Sequence, residues 1–354
     1  MYYPGLKGVT AVETKLSDID GANGHLTYRG ISVQKLIENY SFEEIAYYLL
    51  HGVFPNPNQL QLFLTALRGN RELPPYIRNI LSNIPIEQSI MDALRTTISA
   101  LSAKEDTEDT AIQLIAIIPT IIANRYRVMK ELDVIEPNPR LNHVENFIYM
   151  LTGETNATNA RILEAYLIMT MEHGLNASTF AARVTISTES DLVSAITSAV
   201  GTMKGPLHGG APSGVIDLLE EIATKDRISE VIHNKLKNRE RIMGFGHRVY
   251  KTVDPRAEAL KQIIYKLESS PEWIDLAVET EKVTIDILNE LKPNQKLYTN
   301  VEYYAAAIMK SLELDPELFT AIFSSSRIVG WCAHAIEQKN NNVIFRPNAT
   351  YVGN

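Results

Sequence analysis

The chain has 354 residues, 34 Lys and Arg against 42 Asp and Glu, a formal net charge of −8 and one cysteine; at about 150 residues per domain, this allows two domains or one large one. Hydrophobic residues make up 45% and charged residues 21%, the balance of a globular protein with apolar surface to bury. The acidic balance argues against general nucleic-acid binding, which needs a basic stripe to release counterions, and a lone cysteine excludes an intramolecular disulfide and a multi-cysteine zinc site while fitting a reducing, cytoplasmic compartment.

Residues Met1 to Gly8 carry neither a basic region ahead of an apolar core nor an Arg-rich presequence. Val9 to Ile19 and His25 to Ile31 flank the turn-forming cluster Asp20 to Gly24, which predicts a β-hairpin. Helical signals follow. Ser41 and Glu44 make a capping-box pattern that opens a helix ending at Gly52. Asn58 to Gly69, Ile86 to Ser102 and Thr110 to Leu132 recur at helical spacing. The apolar run Ala111 to Ala123 contains Pro119 and is too short for a bilayer of about 30 Å, so it reads as a buried core helix and not a membrane span. Asp254-Pro255-Arg256 opens a helix over Ala257 to Leu267, since Asp caps and Pro suits the first helical position. Further helices are predicted over Ile274 to Leu291, Val301 to Leu312 and Pro316 to Gln338. No internal repeat, G-x-G-x-x-G or P-loop occurs. The fold class is mainly α with a small N-terminal hairpin.

Five of the eight histidines, His25, His51, His143, His233 and His334, lie in turns or amphipathic helices and read as surface or satisfied core side chains. His173, His208 and His247 stand beside glycines, where backbone N–H groups approach a ligand closely and a histidine can donate to a developing enolate or alkoxide. The two Gly-rich stretches, Gly201 to Gly214 and Gly244 to Pro255, read either as sites or as hinges between domains. Arg248, Lys251 and Arg256 follow His247 closely, with Arg327 and Arg346 later. Arginine suits carboxylates and either cation suits phosphates, so an anionic ligand and solvated surface cations are the two readings of this set. No H-E-x-x-H and no Cys pair is present, so no metal site is expected.

Gly244-Phe245-Gly246-His247-Arg248-Val249-Tyr250-Lys251-Thr252-Val253-Asp254-Pro255-Arg256 resembles the signature segment of citrate synthases. Gly205-Pro206-Leu207-His208-Gly209 and His173-Gly174-Leu175-Asn176-Ala177-Ser178 are similar to that family's other histidine motifs, and Ser326-Arg327 with Phe345-Arg346-Pro347 to its paired arginine segments. The motifs keep the family order, from Gly5-Leu6-Lys7-Gly8-Val9 to the last residues. The length resembles the shorter dimeric forms, without the N-terminal extension of hexameric, NADH-regulated ones. The resemblance implies a nearly all-α homodimer with a large domain over 1–211 and 309–354 and a small, mobile one over 212–308, closing over oxaloacetate before acetyl-CoA.

It further implies roles residue by residue. His208 donates to the thioester oxygen and His247 polarises the oxaloacetate carbonyl. His173, Arg256 and Arg327 hold the oxaloacetate carboxylates, with Arg346 supplied by the other subunit. Asn176 and Ser178 shape the histidine turn. Arg241 to Gly246, including Gly244 and Phe245, face CoA, and Lys251 stands at a CoA-phosphate position. The base is Glu302, in Asn300-Val301-Glu302, where the family has Asn-Val-Asp. Glu has a free pKa near that of Asp, but its extra methylene moves the carboxylate by about 1 Å, a displacement that can cost on the order of 10²-fold.

The implied activity is an acyltransferase of the tricarboxylic acid cycle: a Claisen-type condensation of acetyl-CoA with oxaloacetate and water to citrate and CoA, with no metal or redox cofactor. Two alternatives stand beside it. One is 2-methylcitrate synthase using propionyl-CoA, since one methylene is worth only about 1–3 kcal/mol of discrimination. The other is a weakly active paralogue serving as an acyl-CoA or carboxylate sensor, on the strength of Glu302.

Overall fold

The computed structural model describes residues 2–209, 211–246, 250, 252–265, 272–292 and 297–353. Near the N-terminus, β1 (Ser17–Asp20), β2 (His25–Tyr28) and β3 (Ile31–Ser32) form one antiparallel sheet in that order, Ser17 facing Tyr28 and Asp20 facing His25. The Asp20 carboxylate accepts from the backbone N–H of Ala22 and Asn23 and from the Asn23 amide, which closes the expected turn. The first arm begins at Ser17 and not at Val9: the N–H of Lys15 is taken by Glu337 near the end of the chain, so it has no ladder to join. The second arm is split, because Arg29 and Gly30 turn the chain before β3.

Sixteen α-helices follow among the described residues: α1 (Val33–Asn39), α2 (Phe42–His51), α3 (Pro57–Gly69), α4 (Pro75–Asn83), α5 (Ile90–Ser99), α6 (Thr107–Met129), α7 (His143–Thr152) and α8 (Ala157–Thr170) in the first half. The second half holds α9 (Ala177–Ser187), α10 (Leu192–Met203), α11 (Ala211–Ile222), α12 (Ile228–Lys237), α13 (Pro255–Tyr265), α14 (Glu272–Leu291), α15 (Val301–Ser311) and α16 (Phe319–Asn340). The fold is mainly α, as expected. Ser41 and Glu44 form the predicted capping box of α2. The helix expected from Ile86 starts later, at Ile90, because the Ser89 hydroxyl accepts the N–H of Asp92 and fixes the boundary. The helix expected from Thr110 starts earlier, at Thr107, where the Asp106 carboxylate caps Glu108 and Asp109.

Two buried helices organise the interior. In α6 nearly every residue from Thr110 to Ala123 is buried, Pro119 included, so the apolar run is a core helix. In α16 the same holds from Phe319 to Ala335, and this helix touches α2, α6, α8, α9 and α10. The helices α11, α12, α14 and α15 pack on one another, while α13 lies against α15 on one side and α1, β2 and α8 on the other. The turns after α8 and α10, the first turns of α13 and α15, and one face of α16 thereby come together.

Candidate active site

The His208 turn is a tight reversal between α10 and α11, in which the Gly205 carbonyl accepts from the N–H of both His208 and Gly209. It brings His208 Nε2 to 2.8 Å from Ser178 Oγ, in the first turn of α9. Trp331 Nε1, from α16, donates to the same hydroxyl at 3.0 Å. Burial, and then the charge of Arg327, push the His208 imidazole down to about 4, so it is neutral at physiological pH.

Glu302 sits in the first turn of α15, behind the cap that Asn300 Oδ1 makes to its N–H at 3.1 Å. Burial pushes its carboxyl up to about 7; Arg256 and Arg327 pull the other way, and Asp254 adds to the rise. Arg256, in the first turn of α13, is gripped in a fork by Asp254, Nε to Oδ1 at 3.1 Å and Nη2 to Oδ2 at 2.9 Å. Asp254 Oδ2 also accepts the N–H of Val301 at 3.1 Å. One buried carboxylate therefore ties an arginine of the site to the residue just before Glu302.

His173 follows α8 and stands with its Nε2 3.1 Å from the Tyr250 hydroxyl, whose ring lies 5.6 Å from the Arg256 guanidinium carbon. Arg327 is buried on α16, donates through Nε to the Thr170 carbonyl at 2.7 Å and lies 4.8 Å over the Phe323 ring. Among the described residues its outer fork makes no further hydrogen bond, and that fork suits a carboxylate. The 244–246 segment is stapled to the lead-in of α15: Gly246 N–H to the Tyr298 carbonyl at 2.8 Å, Asn300 N–H to the Gly244 carbonyl at 2.9 Å, and Asn300 Nδ2 to the Gly246 carbonyl at 2.9 Å. Phe245 meets Tyr303 edge-on, with ring centroids 5.3 Å apart.

Among the site residues expected from sequence, His173, His208, Arg256, Arg327 and Glu302 thus gather on one set of contacts, with Gly244, Phe245 and Gly246 beside them. Arg241 is exposed. Arg346 is not in the cluster: it is exposed in the segment after α16 and lines a separate cavity of about 1060 Å³ with Lys15, Arg29 and Phe180. His247 and Lys251 lie outside the described residues. Among the described residues, no group of three or more His, Cys, Asp and Glu side chains is arranged to hold a metal ion, and no helix is long and apolar enough to cross a membrane.

The chain is similar to known proteins over nearly its whole length. The family described as "Citrate synthase, C-terminal domain" matches residues 5–348. The chain belongs to the citrate synthase family. It is 40% identical to "Citrate synthase 2" of Bacillus subtilis over 99% of this chain and 95% of the relative; a 2-methylcitrate synthase is also among the relatives. The crystal structure of citrate synthase from Thermotoga maritima is similar at a TM-score of 0.90 and 41% identity, covering 100% of this chain and 96% of that one. The citrate synthase of the thermophilic archaeon Thermoplasma acidophilum, whose structure is a ternary complex with carboxymethyl coenzyme A and oxaloacetate, is similar at a TM-score of 0.91 and 30% identity, covering 99% and 96%.

Several residues that shape the site in this citrate synthase family member carried no role in the sequence reading. Asp254 was legible only as a cap, and Tyr250 only as part of a motif. Trp331 had no signal, because its partner Ser178 is 153 positions away. His143 departs from its expected place as a surface or satisfied core side chain. It is buried with its ring stacked on Phe42 at 4.6 Å, neither ring nitrogen has a partner among the described residues, and burial drives it down to about 3.

Proposed function

We propose that the chain condenses acetyl-CoA with oxaloacetate and water, giving citrate and free CoA. The observation that carries this reading is the meeting of a neutral His208, an elevated Glu302 carboxyl, and two buried arginines in one cluster. Ser178 Oγ, which accepts from Trp331 Nε1 and donates to Asn176 Oδ1 at 2.8 Å, fixes the His208 ring through Nε2. The neutral imidazole keeps one ring proton, the donor a thioester oxygen needs. Glu302 takes a methyl proton as that oxygen gains negative charge, which divides enol formation between one acid and one base. The enol carbon attacks the keto carbon of oxaloacetate and a C–C bond forms; the keto oxygen becomes a hydroxyl on the side assigned to His247. Water then cleaves the thioester, releasing CoA. His173, Arg256 and Arg327 hold the carboxylates, and Arg241, 244–246 and Lys251 take CoA. No cofactor beyond the two substrates enters.

The same reading includes a cytoplasmic homodimer in which Arg346 completes the neighbouring site. The exposed apolar side chains Tyr2, Val343, Ile344, Tyr351 and Val352 near both ends of the chain, and the exposure of Arg346 away from its own cluster, support it. It also includes a small body, 212–308, closing on a large one, 1–211 with 309–354, which excludes water from the enol.

The test is thiol release from acetyl-CoA with and without oxaloacetate, with propionyl-CoA in parallel and Glu302→Asp beside the wild type. Oxaloacetate-dependent release, faster with the acetyl than the propionyl thioester, is expected. Faster propionyl turnover makes the chain a 2-methylcitrate synthase, and oxaloacetate binding with no turnover makes it a sensor.

A further inference from the structure

Helix α16 lays one face along the segment from Thr170 to Arg183, with Arg327, Trp331, His334 and Gln338 all bonded to it. These positions follow the i, i+4, i+7, i+11 row of a helix, so a single surface templates the whole segment. The deepest part of that contact is a chain of polar groups. Glu172 and His334 are 0% exposed and Arg183 is 2% exposed. Glu172 Oε1 accepts from Ser17 Oγ at 2.8 Å, from the Gly174 N–H at 2.5 Å and from His334 Nε2 at 3.0 Å. Arg183 donates to His334 Nδ1 through Nε at 2.9 Å and Nη2 at 2.8 Å, and it also bonds Glu337. An arginine can only donate, so Nδ1 is an acceptor and the imidazole proton sits on Nε2, aimed at Glu172.

Burying a carboxylate, an imidazole and a guanidinium is costly, and apolar side chains of the same volume make a cheaper core. None of the three is used by the chemistry above. Their bonds converge on the residue just before His173 and on the N–H just after it. We propose that His334 and Arg183 are positioning residues: they hold Glu172, and through it the 172–174 turn, so that His173 meets a substrate carboxylate in a fixed orientation. This rests on the reading that His173 binds oxaloacetate.

The full-length protein with His334→Leu, His334→Gln and Ser17→Ala tests it. Oxaloacetate affinity is read by titration calorimetry, and both KM values by thiol release. Leu at 334 removes a bond to a charged group, so oxaloacetate affinity and its KM should worsen about ten-fold or more while the acetyl-CoA KM holds. Gln keeps a donor for Glu172 and should recover most of that loss. Ser17→Ala removes a donor near the edge of the fold and should weaken oxaloacetate about three-fold. Equal losses for both substrates, Gln no better than Leu, or no effect of Ser17→Ala each overturn the proposal. If His334→Leu does not fold, the other two variants decide it. Wild-type thiol release in the same assay reports separately on the underlying activity, and calorimetry still decides the proposal if that release is absent.

Discussion

Glu302 combines two constraints that pull apart. Its carboxyl must ionise to accept a proton, yet burial holds it near 7, well above its ordinary 4.5. As a base it is half-deprotonated near neutrality, so kcat/KM for acetyl-CoA should climb about ten-fold per pH unit below pH 7 and level off above it. Replacing Glu302 by Gln should remove that limb together with most of the rate. The same shift has a stability consequence of opposite sign. Between pH 4.5 and 7 the folded chain binds a proton at Glu302 that the unfolded chain does not, so stability from this group is full below 4.5 and is lost as pH rises through 7. Glu302→Gln should therefore raise the unfolding free energy at pH 8 by about 3 kcal/mol and leave it nearly unchanged at pH 4.5. Denaturation curves at the two pH values check this, and a stabilisation at pH 4.5 alone contradicts the assignment. Sequence showed that a carboxylate stood in the position of a base. Its elevated pKa comes from burial, with Asp254 adding to the rise and Arg256 and Arg327 opposing it, an environment that motif spacing does not specify.

At the level of elements, the turns matter more than the helices they join. The pairing of 244–246 with 298–300 places the backbone assigned to CoA directly against the lead-in to Glu302. Gly244 makes that contact possible: its φ is +83°, and a Cβ there would fall 2.7 Å from Tyr303 Cδ2 and 3.0 Å from Val215 Cγ2. Gly244→Ala should cost about 1–3 kcal/mol of stability, from strain and overpacking together. It should also lower kcat, since Tyr303 is the residue next to Glu302. Gly246→Ala, where the nearest obstacle is the mobile end of Leu297 at 3.1 Å, should be milder on both counts. Urea unfolding and initial rates on the two variants check this, and equal effects would remove the role given to Tyr303. Helix positions were readable because caps act within three residues: Ser41 with Glu44 and the Pro255 start lie where expected. The Ile86 and Thr110 boundaries were misplaced because Ser89 and Asp106 win the caps, a local competition that periodicity does not rank.

Across the whole molecule, a net charge of −8 must coexist with two anionic substrates. In the proposed reading the attraction is local, from Arg256 and Arg327 with the cations of the signature segment, and Arg346 completes it in the proposed dimer. Co-expressing Arg346→Ala with Glu302→Gln tests that arrangement. Each parent dimer is impaired, but a hybrid holds one intact site, so random pairing should restore roughly a quarter of wild-type activity. Activity no higher than the parents' would place Arg346 in its own subunit's site. By itself, the sequence determined the mainly α class, the N-terminal hairpin, the capped helix starts and the identity of the motif residues, since all of these depend on neighbours a few positions apart. Only the tertiary structure decided which of them meet. Asp254 reaches Val301 across 47 positions, Ser178 reaches Trp331 across 153, and Glu172 reaches His334 across 162. Such contacts depend on the angles and offsets at which buried helices pack, which the summed apolar surface of the chain sets and no short stretch of residues encodes.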